Sequence, residues 1–379
     1  MNELIGQKPF CIVHSFAPVR ICDNGGWTDT WFARHGKIFN IAVTPYAEAQ
    51  LEVYQCKDVV PSIRIVAENF GESYIRVLGQ KGWDRHPLLE AAIERLGFPV
   101  GTSARVTIYS EAPSGASTGT SAAVSVALIG ALDFLRGGHL SPKEIAETAH
   151  AIETQMLGLQ CGIQDQLCSA FGGINYIEMH EYPNATVSQL SLDPSGWQEL
   201  ERRLVLIYLG HSHSSSKVHE QVIANLEGAG SECRALQELR KTAEKSRDAV
   251  VSGRLDLLGQ AMVENTRAQA NLHPELVSSE AWRVIEIAQA HGAAGWKVNG
   301  AGGNGGSVTL LCNPLSDRKR AMIREIEQEV ASFRHIPIRL SHRGLSVYAT
   351  SLGKSLQGQA ISRWPSYTGR LCKTTPLVI

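Results

Sequence analysis

"PSGASTGTSAA", residues 113–123, stands between an alternating stretch, "SARVTIYSE" at 103–111, and a long apolar one, "SAAVSVALIGALDFLRG" at 121–137. Alternation predicts a strand, and the second stretch has the small residues and apolar length of a buried helix. The glycine run between them therefore opens a helix, where backbone N–H groups lack intrahelical partners and an anion is favoured. A phosphate loop and a simple capped turn both fit these residues taken alone.

Working outward, two more glycine runs share the same kind of junction: "CDNGGWTDT" at 22–30 and "VNGAGGNGG" at 298–306. Together with the first they hold nine of the 35 glycines of a 379-residue chain that has only 15 prolines and an ordinary 43% hydrophobic fraction. Missing side chains at strand ends let the backbone approach a ligand or take positive φ. This length predicts two or three domains with sizeable cores. Lys plus Arg number 36 and Asp plus Glu 37, a net charge of -1, which argues against a broad nucleic-acid footprint.

The eight cysteines, Cys11, Cys22, Cys56, Cys161, Cys168, Cys233, Cys312 and Cys372, form no close CxxC pair and read as free thiols. The opening "MNELIGQKPFCIVHSF" lacks the order of a secretory signal, and no segment approaches a membrane span, so a soluble cytoplasmic protein is expected. His211, His213 and His219 cluster in "HSHSSSKVH" without a further ligand at zinc-like spacing.

Strands are expected in "FCIVHSFAPVRI" (10–21), in "IFNIAVTPYAEAQLEVY" (38–54), bent near Thr44 and Pro45, and in "SIRIVAE" (62–68). "HPLLEAAIERLG" (86–97) reads as a helix with Gly97 as its C-cap, and "SPKEIAETAHAIETQMLG" (141–158) as another, with a capping box between Ser141 and Glu144. "CGIQDQLCSAFGG" (161–173) leads from loop to short helix, and "SLDPSGWQELERR" (191–203) reads as a polar, turn-rich domain boundary. Beyond it, strand "LVLIYLG" (204–210), a long helical region to Gly253, two more helices, strand "GSVTLLC" (306–312), a charged helix and a strand around "IPIRLS" (336–341) describe an α+β second domain. The expected division is residues 1–200 and 201–379.

In this order, "APVRICDNGGWTDT", "PSGASTGTSAA" and "GAAGWKVNGAGGNGG", with "CGIQDQ" between the second and third, resemble the GHMP kinases, the family of galactokinase, homoserine kinase and mevalonate kinase. The resemblance covers nearly the whole chain. It implies an α+β fold of two domains, the N-terminal one like ribosomal protein S5 domain 2 and the C-terminal one ferredoxin-like, with the active site between them. "GGWTDT" and "GKIFNIAV" look closest to the sugar-1-kinase branch of fucose kinases and D-glycero-D-manno-heptose 7-phosphate kinases. The implied reaction moves the γ-phosphoryl of ATP, with Mg2+, to a sugar or sugar phosphate at the anomeric hydroxyl.

The resemblance also assigns residues. Pro113, Ser114, Gly115, Ala116, Ser117, Thr118, Gly119, Thr120 and Ser121 would cradle the phosphates. Ser121, or Thr120 if the loop is shifted by one, would hold magnesium with Glu153. Asp165 would orient or deprotonate the acceptor hydroxyl, and Arg20 would neutralise charge beside it. Asp29 would accept hydrogen bonds from sugar hydroxyls, with Gly25, Gly26, Trp27, Gly302 and Gly303 around the substrate. Lys297 reads equally as a phosphate or sugar contact and as an exposed lysine, and Ser215, Ser216 and Lys217 border the substrate in relatives. A second phosphate on the acceptor would need a basic cluster such as Arg34, His35 and Lys37.

"STGTSA" departs from the family's commoner Gly-Leu-Gly-Ser-Ser, and "CDNGG" is more polar than the corresponding run in many relatives. The expected partners are a small sugar-type substrate and, as an allowed assembly, a second copy in a homodimer, with neither nucleic acid nor membrane. Two rival functions share these motifs: a noncatalytic sugar-binding regulator on a kinase scaffold, and the family's phosphorylation-dependent decarboxylation of mevalonate diphosphate, which the first motif fits poorly.

Overall fold

The computed structural model describes residues 8–56, 62–210 and 216–351. Their N-terminal part is built on an eight-stranded sheet. Its strands are β1 (Cys11–Asn24), β2 (Gly36–Gln55), β3 (Ser62–Ala67), β4 (Glu72–Val77), β5 (Thr102–Ser110), β6 (Ile174–Glu181), β7 (Asn184–Leu190) and, from the far end of the chain, β12 (Ser346–Ser351). The order runs β12-β1-β2-β5-β3-β4, and the hairpin β6–β7 pairs with the first half of β2. Only β3 and β5 run parallel.

Helices α1 (Pro87–Leu96), α2 (Thr120–Leu135), α3 (Pro142–Ala151) and α4 (Gln164–Phe171) belong to this part. The Ser141–Glu144 capping box forms as the sequence predicts. α2 is apolar on every side, as a central helix must be, and Gly130 lets Leu345 lie against its backbone.

The segment read as a turn-rich boundary is instead α5 (Pro194–Arg203), started by the Asp193 side chain accepting the Gly196 N–H and by Pro194 in the first turn. A polar composition concealed a helix whose start signals were both present. Next come β8 (Leu204–Tyr208), α6 (Ser216–Ala229), α7 (Arg234–Val251), α8 (Leu255–Leu272), α9 (Ser279–Ala290), β9 (Gly295–Val298), β10 (Ser307–Leu311), α10 (Ser316–Glu329) and β11 (Arg334–Ile336). The second sheet is antiparallel in the order β11-β8-β10-β9, the strand order of a ferredoxin-like unit. Its last strand ends before Pro337 rather than spanning "IPIRLS", because proline has no N–H for the ladder.

Leu340 then bridges to Val43, and β12 pairs with β1, so the chain after β11 returns to the first sheet. A division at residue 200 therefore does not account for β12. The burial of β1 shows what this wrapping does: its first half alternates, whereas Ala17 to Asn24 are all buried. Helices α2 and α4 cover one side of that half, and α7, α8 and β9 approach from the C-terminal part. Arg20, Asp23 and Asn24 thereby become interior polar groups. No helix among the described residues is long and apolar enough to cross a membrane.

Candidate active site

The loop 113–119 turns into α2 through Gly119, which takes a left-handed φ of 70° as N-cap and leaves the helix without a side-chain cap. The N–H groups of the first turn thus keep their capacity to bind an anion. A Cβ at Gly119 would lie 3.1 Å from the Asp165 carboxyl group, so both backbone conformation and space favour glycine here. Ser117 is also left-handed, with φ 56°.

Arg20 on β1 ties this loop to the Asp165 carboxylate. Its backbone N–H donates to Thr118 O at 2.9 Å, its guanidinium donates to Ser117 O, and a fork of Nε and Nη2 meets Asp165 Oδ1 and Oδ2 at 2.8 and 3.2 Å. Burial works against the Arg20 charge, but the carboxylates of Asp165 and Asp23 more than offset it and raise its pKa. Asp165 stands in the first turn of α4, where the helix dipole favours a negative group.

Glu153 lies in a single π-helical turn, Ile152–Met156, that follows α3. Such turns are frequent at functional sites. Gln166 Nε2 donates to Glu153 Oε1 at 2.7 Å, while Gln166 Oε1 has no hydrogen-bond partner among the described residues. Burial, helped by the charge of Asp165, pushes the Glu153 carboxyl up to about 7. Asp29 accepts the Gln164 N–H at 3.1 Å, and burial pushes it up to about 6. Gly162 lies so close to Asp29 that a Cβ there would fall 1.9 Å from Oδ2.

Two cavities meet at Ser121. One is lined by Arg20, Asp23, Asp29, Glu153 and Asp165 together with Trp27, Trp31, Phe32, His219 and Ile223. The other, with Phe70, Leu88, Leu89, Ile108 and Val124 as apolar walls and Asn69, Arg85 and His86 as polar ones, is bordered by Ser114, Gly115, Thr120 and Ser121. Ser121 is common to both linings. The loop 113–119 and the start of α2 are therefore the partition between an apolar chamber and a carboxylate-rich one.

Not every glycine named from the sequence faces these cavities. Gly25 packs against Lys37 O and Ala243, and its N–H donates to Asn265 Oδ1 at 2.7 Å, so its permissiveness serves the packing of the first motif on α7 and α8. Gly26 sits over the Asp23 carboxylate, outside the lining. Gly302 and Gly303 close on Leu276 O, and it is Gly300 and Ala301 that line the carboxylate-rich cavity. Pro113, Ala116, Ser117 and Thr118 line neither cavity. Ala116 and Thr118 are buried, and Gly300 and Gly306 of the third loop press on Ser117.

Trp27 does line the cavity, edge-on to His219 with ring centroids 5.5 Å apart. Lys297 is neither exposed nor at a cavity wall: it is 1% exposed and bound to Asp23. His211, His213, Ser215 and Cys372 lie outside the described residues, as do the side chains of Ser216 and Lys217. Gln160, Cys161, Gly162, Gln164 and Gln166, which the sequence left unassigned, stand in the wall because α4 begins there.

Hard oxygen donors suit magnesium, and Ser121 and Glu153 line one cavity. The upward shift of Glu153 marks a buried carboxylate that a nearby cation would relieve. Two protein ligands are what magnesium commonly takes when nucleotide phosphates and water complete its shell.

Residues 87–173 match the profile described as GHMP kinases N terminal domain, and residues 246–325 that described as GHMP kinases C terminal. This order, with the two sheets above, makes the fold that of a two-domain GHMP kinase and strongly supports membership of the family. The chain is 28% identical over 221 residues to D-glycero-alpha-D-manno-heptose 7-phosphate kinase of Campylobacter jejuni, covering 58% of this chain and 64% of that protein. It is 30% identical over 229 residues to mevalonate kinase of Thermococcus onnurineus, covering 57% and 62%. The chain thus spans less than two thirds of the length of these curated relatives. A crystal structure of a D-glycero-D-manno-heptose 1-phosphate kinase from Bacteroides thetaiotaomicron superposes with a TM-score of 0.69 at 22% identity, over 88% of this chain and 98% of that one.

Proposed function

We propose that this chain of GHMP kinase fold transfers the γ-phosphoryl group of ATP to a hydroxyl of a small sugar that carries no phosphate, giving a sugar 1-phosphate. The observation that carries this is the partition at Ser121, which sets an apolar chamber suited to a nucleotide base on one side and carboxylates suited to hydroxyls on the other. Arg20 and Asp165 stand on the acceptor side of the partition. In the reaction the acceptor oxygen forms a bond to the γ-phosphorus, the bond to the β,γ-bridging oxygen breaks, and ADP leaves.

Asp165 takes the hydroxyl proton as transfer proceeds, and Arg20 holds that carboxylate in place while adding positive charge beside the phosphoryl group. N–H groups of the first turn of α2 hold phosphate oxygens. Ser121 and Glu153 would hold the magnesium ion, which supplies charge neutralisation on the phosphates. Trp27, Trp31, Phe32 and Ile223 offer an apolar wall for the ring, and buried Asp29 accepts from its hydroxyls.

An unphosphorylated acceptor is favoured by the make-up of that lining, where Asp29, Glu153 and Asp165 stand with a single guanidinium among the described residues, while Asp23 is paired with Lys297. Arg34, His35 and Lys37, the cluster a second phosphate would need, are not in the lining. His35 pairs with Glu232 and Lys37 with Glu244, each at 2.5 Å. The similarity to heptose 7-phosphate and mevalonate kinases keeps those acceptors as the competing readings.

Incubation with ATP, magnesium and a panel of free sugars, heptose 7-phosphate and mevalonate, with product position read by phosphorus NMR, tests the proposal. A fucose-like or other neutral hexose converted to its 1-phosphate is the expected result. Turnover confined to heptose 7-phosphate or mevalonate overturns the acceptor class, and no phosphorylation of any acceptor favours a binding role. Carbon dioxide release from mevalonate diphosphate would point to the decarboxylase.

Asp29 gives the reaction a pH dependence. Its carboxylate form fills as pH rises through about 6, and in that form both oxygens accept and neither donates, which makes it the stronger acceptor for hydroxyls. Acceptor kcat/KM is expected to rise across that pH and level off above it, and Asp29→Asn should flatten the limb while lowering the plateau. The same shift acts oppositely on folding: a raised carboxyl loses stability for the free protein as pH climbs from 3.8 to about 6. A limb that persists in Asp29→Asn would assign it to another group.

A further inference from the structure

A file of alternating charges crosses from the second sheet to the reactive carboxylate. Lys297 on β9 is fully buried, and its Nζ has three acceptors: Asp23 Oδ1 at 3.3 Å, Gln269 Oε1 at 3.0 Å and Val298 O. Burial lowers the pKa of this amine, but the Asp23 carboxylate beside it opposes that, and an ammonium, with three N–H groups against the two of a neutral amine, matches this surround. Asp23 on β1 is 1% exposed, accepts the Gly300 N–H through both oxygens at 3.1 and 3.0 Å, and lies 3.9 Å from Arg20 Nη1. Arg20 in turn forks onto Asp165. The order is Lys297, Asp23, Arg20, Asp165, with signs plus, minus, plus, minus.

Asp23 is one of the polar residues that set "CDNGG" apart, and it does not serve the acceptor through an exposed face. Its two cations compete for it. Lys297 is the nearer, which leaves Arg20 at a longer separation and free to make its short contacts with Asp165 and with Ser117 O. Remove the ammonium and a buried carboxylate is left with Arg20 as its remaining cation in the file. A buried unpaired charge is strongly unfavourable, so the guanidinium is drawn toward Asp23.

We propose that Lys297 is a positioning residue for phosphoryl transfer: by neutralising Asp23 from the second sheet, it leaves Arg20 to Asp165 and the phosphate loop. Lys297 lines neither of the two cavities and is not itself catalytic. This inference rests on the kinase reading above. It also makes the site dependent on the seating of the third glycine loop, because Gln269 joins Lys297 to Gly300 O at 3.1 Å and Gly300 donates to Asp23.

The test compares wild type, Lys297→Met, Asp23→Asn and the double variant with ATP and the best acceptor of the panel, with thermal melting of each. Lys297→Met is expected to lower kcat about 30-fold with KM for ATP within about threefold, a coupling of ordinary size for residues in one network. Adding Asp23→Asn should recover kcat to within about fivefold of wild type, since a neutral amide no longer competes for Arg20. A merely structural lysine would give no such recovery.

Turnover of Lys297→Met within twofold of wild type, or a double variant no better than the single, overturns the proposal. Should Lys297→Met fail to fold, Lys297→Gln, which removes the charge but keeps a donor, is read by the same outcomes. A crystal structure of the folded single variant decides independently of activity. Arg20 shifted from Asp165 onto Asp23 supports the proposal, and an unchanged fork refutes it. A wild type that phosphorylates nothing would sink the kinase reading and with it the part of Lys297 in turnover, whereas an unchanged fork in the variant of an active enzyme sinks this inference alone.

Discussion

Asp165→Asn should lower kcat by about a thousandfold while KM for ATP stays within about threefold, the range expected when a positioned general base is lost. The amide keeps the size of the carboxylate but cannot take a proton from the acceptor. It also presents an N–H group to an Arg20 fork that now meets two oxygens at 2.8 and 3.2 Å, so the guanidinium loses its partner as well as the base. On the proposed reading the nucleotide binds on the other side of the Ser121 partition, so its affinity should be spared. Steady-state kinetics with a fluorescent ADP readout and a separate nucleotide titration distinguish the two effects. Turnover within tenfold of wild type would remove Asp165 from the chemistry.

Glu90→Ala should destabilise the fold by about 3–5 kcal/mol, as breaking a buried ion pair commonly does. Glu90 is wholly buried in α1 and pairs with Arg76, 2% exposed on β4, at 3.0 Å. It accepts the Tyr74 hydroxyl at 2.9 Å and the backbone N–H groups of Asp84, Arg85 and His86 at 2.9, 3.0 and 3.2 Å. Arg76 meanwhile donates to the carbonyls of Gln80 and Gly82. One ion pair therefore folds the stretch that brings Arg85 and His86 to the apolar chamber.

Burial pushes the Glu90 carboxyl up, but these donors prevail and leave it lowered, so its contribution is present at neutral pH and lost as pH falls through the folded value. Urea unfolding at pH 7 should show the loss, and nucleotide binding should weaken with it. A change below about 1 kcal/mol would show that the stretch is held otherwise. The double variant Arg76→Met with Glu90→Leu should recover much of the stability, because no unpaired charge remains.

The sequence carried the fold through local rules. Strand alternation before the loop at 113–119, the Ser141–Glu144 box and the apolar α2 after that loop are all decided by neighbours within a few residues, and each forms as read. Where a local signal was overruled by composition, as in Asp193–Pro194 at the start of α5, the structure restores it. Arg20, Asp29 and Ser121 were legible in the glycine motifs, Asp165 in "CGIQDQ" and Glu153 in the helix before it, and all five line one chamber.

Other assignments failed for a common reason: a glycine run announces backbone freedom and not what comes close to it. Gly25 makes room for Lys37 O and Ala243, Gly302 for Leu276 O, and Gly119 and Gly162 for the carboxylates of Asp165 and Asp29. Only the last two serve the site directly. Phe70, Leu88 and Val124 carry no motif, and they become a chamber because β5, α1 and α2 converge there.

By itself the sequence determined the elements, the family resemblance and the residues able to do the chemistry, since side-chain identity and short-range periodicity are local properties. The tertiary structure decided which of them meet. Lys297 and Asp23, 1% exposed and 3.3 Å apart across two sheets, read in isolation as either a ligand contact or an exposed lysine, and as a polar oddity of the first loop. Their partnership arises only when β9 is laid against β1, because charge pairing in a buried site depends on distance in space and not along the chain.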